Sequence, residues 1–223
     1  MELLEAIKCR RSIRTYADQK IEGDVLSHLQ NFIDLTNRES GLNFQLILNE
    51  PKAFDCLLSK IGRFSNVCNY IAAIGKKGPD LEENCGYFGE RIVLEAQRIG
   101  LNTCWVGGTY NKIPRFFSLR PEDKLVLVIA IGYGVPKEMK PRPTKKLSDV
   151  IGGNDTTPSW FIDGVEAALL APTALNQQLF KFYLIGDKVT CKKGRGFFSA
   201  VDLGIVKYHF EIGSGKDHRI WLS

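Results

Sequence analysis

Phe88–Gly108 reads FGERIVLEAQRIGLNTCWVGG. Phe88, Ile92, Val93, Ala96 and Ile99 recur at helical spacing, and Gly100 follows them directly. The spacing predicts an amphipathic helix over 86–99 with Gly100 as its C-cap, because glycine readily adopts the left-handed conformation that ends a helix. A short apolar strand then runs through Cys104 and Trp105 into Gly107-Gly108. A glycine pair lets backbone N–H groups approach a ligand with no Cβ in the way; a plain tight turn would read the same.

Outward from this unit the chain alternates helical and extended patterns. Leu3, Leu4 and Ile7 share a helical face over residues 2–9. A second helix starts at Gly23-Asp24 and carries Val25, Leu29, Phe32 and Ile33. NFQLIL (43–48) and YIAAIG (70–75) read as strands, and LVLVIAIG (125–132) as a strand covered on both faces. Residues 134–159 read as loop, a short LSDVI turn and linker. A helix over 160–170, a strand over 181–185 and a helix over 204–212 complete the expectation of a layered α+β fold.

The chain also resembles itself. A shift of 136 residues lays 24–49 over 160–185 without a gap, and each segment runs helix, loop, strand. A weaker match pairs Tyr87-Phe88-Gly89 with Asp202-Leu203-Gly204. Chance similarity of helix–loop–strand units is the alternative reading at this low identity.

With 223 residues and 44% hydrophobic content, the chain can bury a core without disulfides or metals. Its six cysteines are scattered, form no CxxC pair and suit neither a zinc module nor a disulfide framework. Cys56, Cys68 and Cys104 sit among apolar residues and read as buried, inert thiols. No metal site is expected. No membrane span or secretory leader is expected either, and the expected compartment is the cytoplasm. The net charge of +5 is interspersed with acids, which argues against a nucleic-acid surface.

Four constellations carry chemistry. Arg10-Arg11-Ser12-Ile13-Arg14 follows the first helix, and in an extended segment residues 10, 12 and 14 would face one side, suiting a phosphate; a solvated basic turn is the plain alternative. Ala171-Pro172-Thr173-Ala174-Leu175-Asn176-Gln177-Gln178 joins a helix to a strand and offers amides that both donate and accept, or serves only as a connection. Gly107-Gly108 is the third. The fourth is Arg142, held between two prolines in KPRPTKK.

In this order the motifs resemble the nitroreductase superfamily over roughly residues 1–150. The family's RRSxR is matched by Arg10–Arg14, its GLGTxWxGG by GLNTCWVGG, and its buried strand with a basic PR segment by VIAIGYGVPKEMKPRPTKKLSDV. One hallmark is displaced. Where the family carries a segment like APSAxNxQPW, this chain has LTNRESGLNF, with Ser40 at the expected Asn; the hallmark appears instead as APTALNQQLF at 171–180.

Family members are homodimers with FMN at the subunit interface, RxSxR coming from one subunit and the APSAxN loop from the other. The resemblance therefore implies a nitroreductase-like fold, a central mixed sheet flanked by helices. In it two fused repeats, 1–150 and 151–223, would mimic the homodimer around one FMN. Arg10, Arg11, Ser12 and Arg142 would serve the phosphate and Arg14 the pyrimidine edge. Backbone N–H groups at Gly107 and Gly108 would reach the ring edge, and Pro172, Thr173, Ala174 and Asn176 would line the ring. The implied activity passes hydride from NAD(P)H through FMN to a small-molecule acceptor, a nitroaromatic or quinone. The flavin carries the chemistry, and His28, His209 and His218 are not expected to be catalytic. A monomer or a weak dimer of pseudo-dimers is expected. Dehalogenation or flavin breakdown on the same fold, and a flavin binder or degenerate scaffold without turnover, are the competing readings.

Overall fold

The computed structural model describes residues 1–135, 142–153 and 157–222. Its elements in order are α1 (Leu3–Cys9), α2 (Gly23–Ser40), β1 (Gln45–Ile47), α3 (Leu57–Ile61), β2 (Tyr70–Lys76), α4 (Leu81–Arg98), β3 (Asn102–Val106) and β4 (Asp123–Gly132). These are followed by α5 (Leu147–Val150), β5 (Ile151–Gly152), α6 (Ser159–Leu169), β6 (Phe180–Ile185), β7 (Lys188–Lys193) and α7 (Ser199–Ser214). The α+β class expected from the sequence is the one observed.

Several elements depart from expectation. α4 begins at Leu81, where Glu82 and Glu83 in its first turn favour the positive end of the helix, and Gly86 is interior. Gly100 does end that helix, with φ +87°. α7 begins at Ser199, five residues before the expected start. Cys56 and Cys68 are half-buried and Cys104 is buried, so only the last fits the expected burial; all six thiols are free.

In place of one central mixed sheet there are two sheets among the described residues. The larger has the order β1-β2-β4-β3, with every pairing antiparallel. In the smaller, β5 pairs parallel and β7 antiparallel with the central β6. No helix among the described residues is long and apolar enough to cross a membrane.

The chain divides into two compact units, Arg10–Leu81 with Arg91–Glu138, and Met1–Cys9 with Glu82–Glu90 and Met139–Ser223. The first holds the larger sheet. β4 is buried from Leu125 through Gly132, which accounts for its unbroken apolar run. On one face Ala72, Ile74, Cys104, Val106, Val128 and Ala130 pack with Tyr16, Phe54 and Tyr110.

The second unit packs α6 and α7 beside the smaller sheet. Phe182 and Phe210 stack at 5.0 Å, and Phe161 meets Phe210 edge-on at 5.8 Å. His209 is fully buried on α7 and hydrogen-bonds Glu90 at 2.9 Å and the Ala167 carbonyl at 3.1 Å. α7 crosses the start of α4 so closely that a Cβ on Gly86 would overlap the Val201 carbonyl, and one on Gly204 would overlap the Glu83 carbonyl.

Those two contacts are reciprocal: a shift of 118 residues carries Glu83 to Val201 and Gly86 to Gly204. It also carries Leu81, the start of α4, to Ser199, the start of α7. The match lies three residues, nearly one helical turn, from the sequence pairing of Gly89 with Gly204. The 136-residue shift carries Gly23 to Ser159 at the helix starts and Gln45 to Lys181 in β6.

Candidate functional site

The residues singled out in the sequence fall into two groups, one in each unit. The first is built on the edge of the larger sheet. After α1, the chain is extended from Ser12 to Ala17 and is laced to three neighbours. Ile13 donates its N–H to Thr103 O (3.0 Å), Ser65 donates to Arg14 O (2.9 Å), and Ala17 donates to Tyr133 O (2.8 Å). The Tyr16 hydroxyl donates to Ile13 O at 2.8 Å and lies 3.3 Å from Ala130 O, fixing the segment from beneath.

Arg10 is 2% exposed, whereas Arg14 is exposed. Ser12 pairs with Thr103, whose neighbour in β3 is the buried thiol of Cys104. Burial pushes that thiol pKa up, while Arg14, Arg10 and a hydrogen bond from Ser12 pull it down. Arg11 instead turns its guanidinium to the Arg10 carbonyl at 2.9 Å.

β3 ends in Gly107-Gly108. Gly108 is exposed, its φ lies outside the left-handed region, and a Cβ built on it meets nothing within 4 Å. The chain's own packing therefore does not require glycine there, and the open backbone provides space for a ligand.

The second group is the connection between α6 and β6. Leu175, Asn176 and Gln178 all have positive φ (52°, 54° and 46°), a conformation that is costly for residues with a Cβ and gathers at functional sites. Its surroundings hold it in this shape. The Asn176 amide donates to Pro143 O (2.9 Å), and the Gln178 amide donates to Leu169 O (2.9 Å). Lys145 donates from its N–H to Gln178 Oε1 and from its ammonium to Gln178 O, each at 2.8 Å. Arg142 donates to the Leu170 carbonyl at the end of α6. Pro172, Thr173 and Ala174 are partly exposed, and Leu175 is 89% exposed.

The family profile described as "Putative TM nitroreductase" matches residues 2–214. The chain belongs to this family. Among solved structures, one described as a "putative nitroreductase" from Thermotoga maritima has TM-score 0.70 and 24% identity, over 96% of this chain and 83% of that one. A nitroreductase-like family protein from Bacillus cereus has TM-score 0.51 and 25% identity, over 67% and 94%. A nitroreductase family protein from Streptococcus pneumoniae has TM-score 0.55 and 14% identity, over 69% and 100%. No curated protein matches the chain. The two shorter relatives are thus spanned nearly whole by about two thirds of this nitroreductase-family chain.

Sequence reasoning missed residues in both groups. Phe64, Ser65 and Asn66 come beside Arg14: the guanidinium lies 5.9 Å from the Phe64 ring centre, and the Asn66 amide donates to Tyr16 O at 3.0 Å. All three line a cavity of about 210 Å³, and Asn66 also lines one of about 180 Å³; the two share Pro51, Asn66 and Cys68. The usable signal was Asn66 itself, with φ 55°, since Asn tolerates the left-handed region better than most residues. Asp202, which anchors the 174–177 backbone from α7, carried no motif at all.

Proposed function

We propose that this nitroreductase-family protein is an FMN-dependent oxidoreductase whose single flavin is held by residues of two fused repeats. The observation that carries the reading is a buried Arg10 in a segment laced to the edge strand that runs on to the open backbone of Gly108. The Arg10 guanidinium and the Ser12 hydroxyl on that segment suit a phosphate, and charge-assisted hydrogen bonds would make that grip strong. FMN bound there would supply the chemistry of hydride transfer between NAD(P)H and a nitroaromatic or quinone.

The protein's own residues bind and orient. Arg10, Arg11 and Ser12 would hold the phosphate, with Arg142 as a further cation. Arg14 would set its charge by the pyrimidine edge, where a cation favours the reduced, anionic ring. Gly107 and Gly108 would offer N–H groups to the ring edge, and Pro172, Thr173, Ala174 and Asn176 would line the ring.

The one-flavin reading rests on duplication, with repeats at 1–150 and 151–223. Two observations support it: the reciprocal Gly86/Val201 and Gly204/Glu83 contacts, and the displaced APTALN loop. On this reading the second repeat keeps the helix–strand–strand–helix run and lacks RxSxR, while the first lacks the loop. Each supplies what the other has lost. A cytoplasmic protein, monomeric or weakly paired, is part of the same proposal.

The test is turnover and retention together. Wild-type protein reconstituted with FMN should oxidise NADH or NADPH when a quinone is added. Arg10→Ala and Asn176→Ala should each lose flavin on desalting. Retention of flavin by both variants would overturn the assignment, and flavin bound without turnover would favour the non-catalytic binder.

A further inference from the structure

Asp202, in the first turn of α7, is 7% exposed and has no place in the family motifs read above. Both its carboxylate oxygens accept the Ala174 N–H, at 2.9 and 3.2 Å. One of them also accepts the Gln177 side-chain amide at 2.8 Å. The same Gln177 nitrogen donates to the Phe197 carbonyl at 2.8 Å, tying in a second connection that ends at Phe198 with φ 55°. A Cβ on Gly196 would lie 2.5 Å from Gln177 Oε1, so the two connections are in close contact.

The bracket thus spans two strained loops. Between them lie four non-glycine residues with positive φ, Leu175, Asn176, Gln178 and Phe198. They hold out two of the most exposed large apolar side chains described, Leu175 at 89% and Phe197 at 76%. Strain of this kind persists only where surrounding contacts over-determine it. An acceptor carrying full charge is the strongest such contact for a backbone N–H.

We infer that Asp202 is a positioning residue that, through Ala174 and Gln177, fixes the shape of the 173–178 loop and thereby its fit to the flavin ring. The link to the ring rests on the function proposed above; the bracket itself does not. Only burial and two neutral donors act on the carboxyl: burial lifts its pKa from 3.8 to about 6, while Gln177 and Ala174 pull it down. Among the described residues no charged side chain enters that balance. The charged form is therefore retained at a cost to overall stability above pH 6, as expected of a group that positions rather than packs.

The experiment follows the Ala174 amide by ¹⁵N NMR in flavin-free full-length protein, and FMN affinity by flavin fluorescence. The wild-type amide shift should titrate with a midpoint near pH 6, and in Asp202→Asn that titration should vanish. Asp202→Asn should melt at or above the wild-type temperature at pH 7.5, because it removes a buried charge. It should bind FMN about tenfold more weakly, the effect of losing a charge-assisted hydrogen bond. Gln177→Ala breaks one arm and should give a partial shift in the same amide, which keeps the test open if Asp202→Asn folds poorly. An Ala174 amide that ignores pH, or one identical in wild type and both variants, overturns the inference. If the amide titrates but wild-type protein binds no FMN, the bracket stands and the proposed function falls.

Discussion

The run α2–β1–β2–α4 and the run α6–β6–β7–α7 share an order of elements, but they treat their strands differently. β2 is buried from Tyr70 to Gly75 and pairs with β4, itself buried from Leu125 to Gly132, so both read as unbroken apolar stretches. β6 alternates buried Phe180 and Phe182 with partly exposed Lys181 and Tyr183, and β7 ends in exposed Lys192-Lys193. A strand covered on two faces must be apolar throughout. A strand covered on one face needs only every second residue, and lysines at a sheet margin discourage pairing with another chain. The second run thus has the helix crossing and one packed face, with no counterparts of β3 and β4 among the described residues.

The comparison breaks first at the helix crossing. Gly86→Ala and Gly204→Ala each push a Cβ into a backbone carbonyl, so each should lower stability by about 2–4 kcal/mol despite the better helix propensity of Ala. Chemical denaturation should show the two losses equal within about 1 kcal/mol if the contacts are true counterparts. A loss in one with none in the other would sever the symmetry.

Smaller in stability but large in function is Arg10→Ala. Removing a buried guanidinium should weaken FMN binding by more than about 30-fold by fluorescence titration, with the loop of the second unit unaffected. Gly108→Ala sharpens the contrast with Gly86. Its melting temperature should stay within about 1 °C of wild type, since the added methyl meets only open space, while FMN affinity drops about fivefold. A large melting change would show that Gly108 serves packing and not a ligand.

The smallest effect is pH-dependent. Burial raises the carboxyl pKa of Asp202 to about 6 and also raises that of Glu211, which accepts hydrogen bonds from Tyr87 and Trp221 at 2.6 Å each. A raised carboxyl pKa means that the folded state holds the proton more tightly. Its stabilising contribution is therefore present at low pH and is lost as pH rises through the folded value. Urea melts should show these two groups favouring the fold at pH 5 over pH 7.5, and Asp202→Asn should flatten that slope. An unchanged slope in the variant would show that the carboxyl titrates normally.

How much of this was legible varies with the physics involved. The helix ending at Gly100 was readable because one apolar stripe and one left-handed glycine encode it locally, and β4 because eight apolar residues in a row have few other uses. The extended course of the RxSxR segment was readable from its period-two pattern. α3 and β7 were not, since LLSKI is a short helix with Leu57 and Ile61 largely exposed and KVTCKK hides only Val189 and Cys191. The partition of α4 between the two units was likewise invisible, because it depends on contacts over a hundred residues apart. Asp202 escaped for the same reason. Its role lies in a hydrogen bond to backbone 28 residues away, which no spacing reports.

The central proposal is one flavin per chain, completed by residues of both proposed repeats. Reconstituting the protein with excess FMN, desalting it and reading the flavin absorbance against protein concentration tests it most directly. The account predicts a ratio near one, falling toward zero in both Arg10→Ala and Asn176→Ala. A ratio near two, or flavin retained in full when either group is disabled, would contradict it.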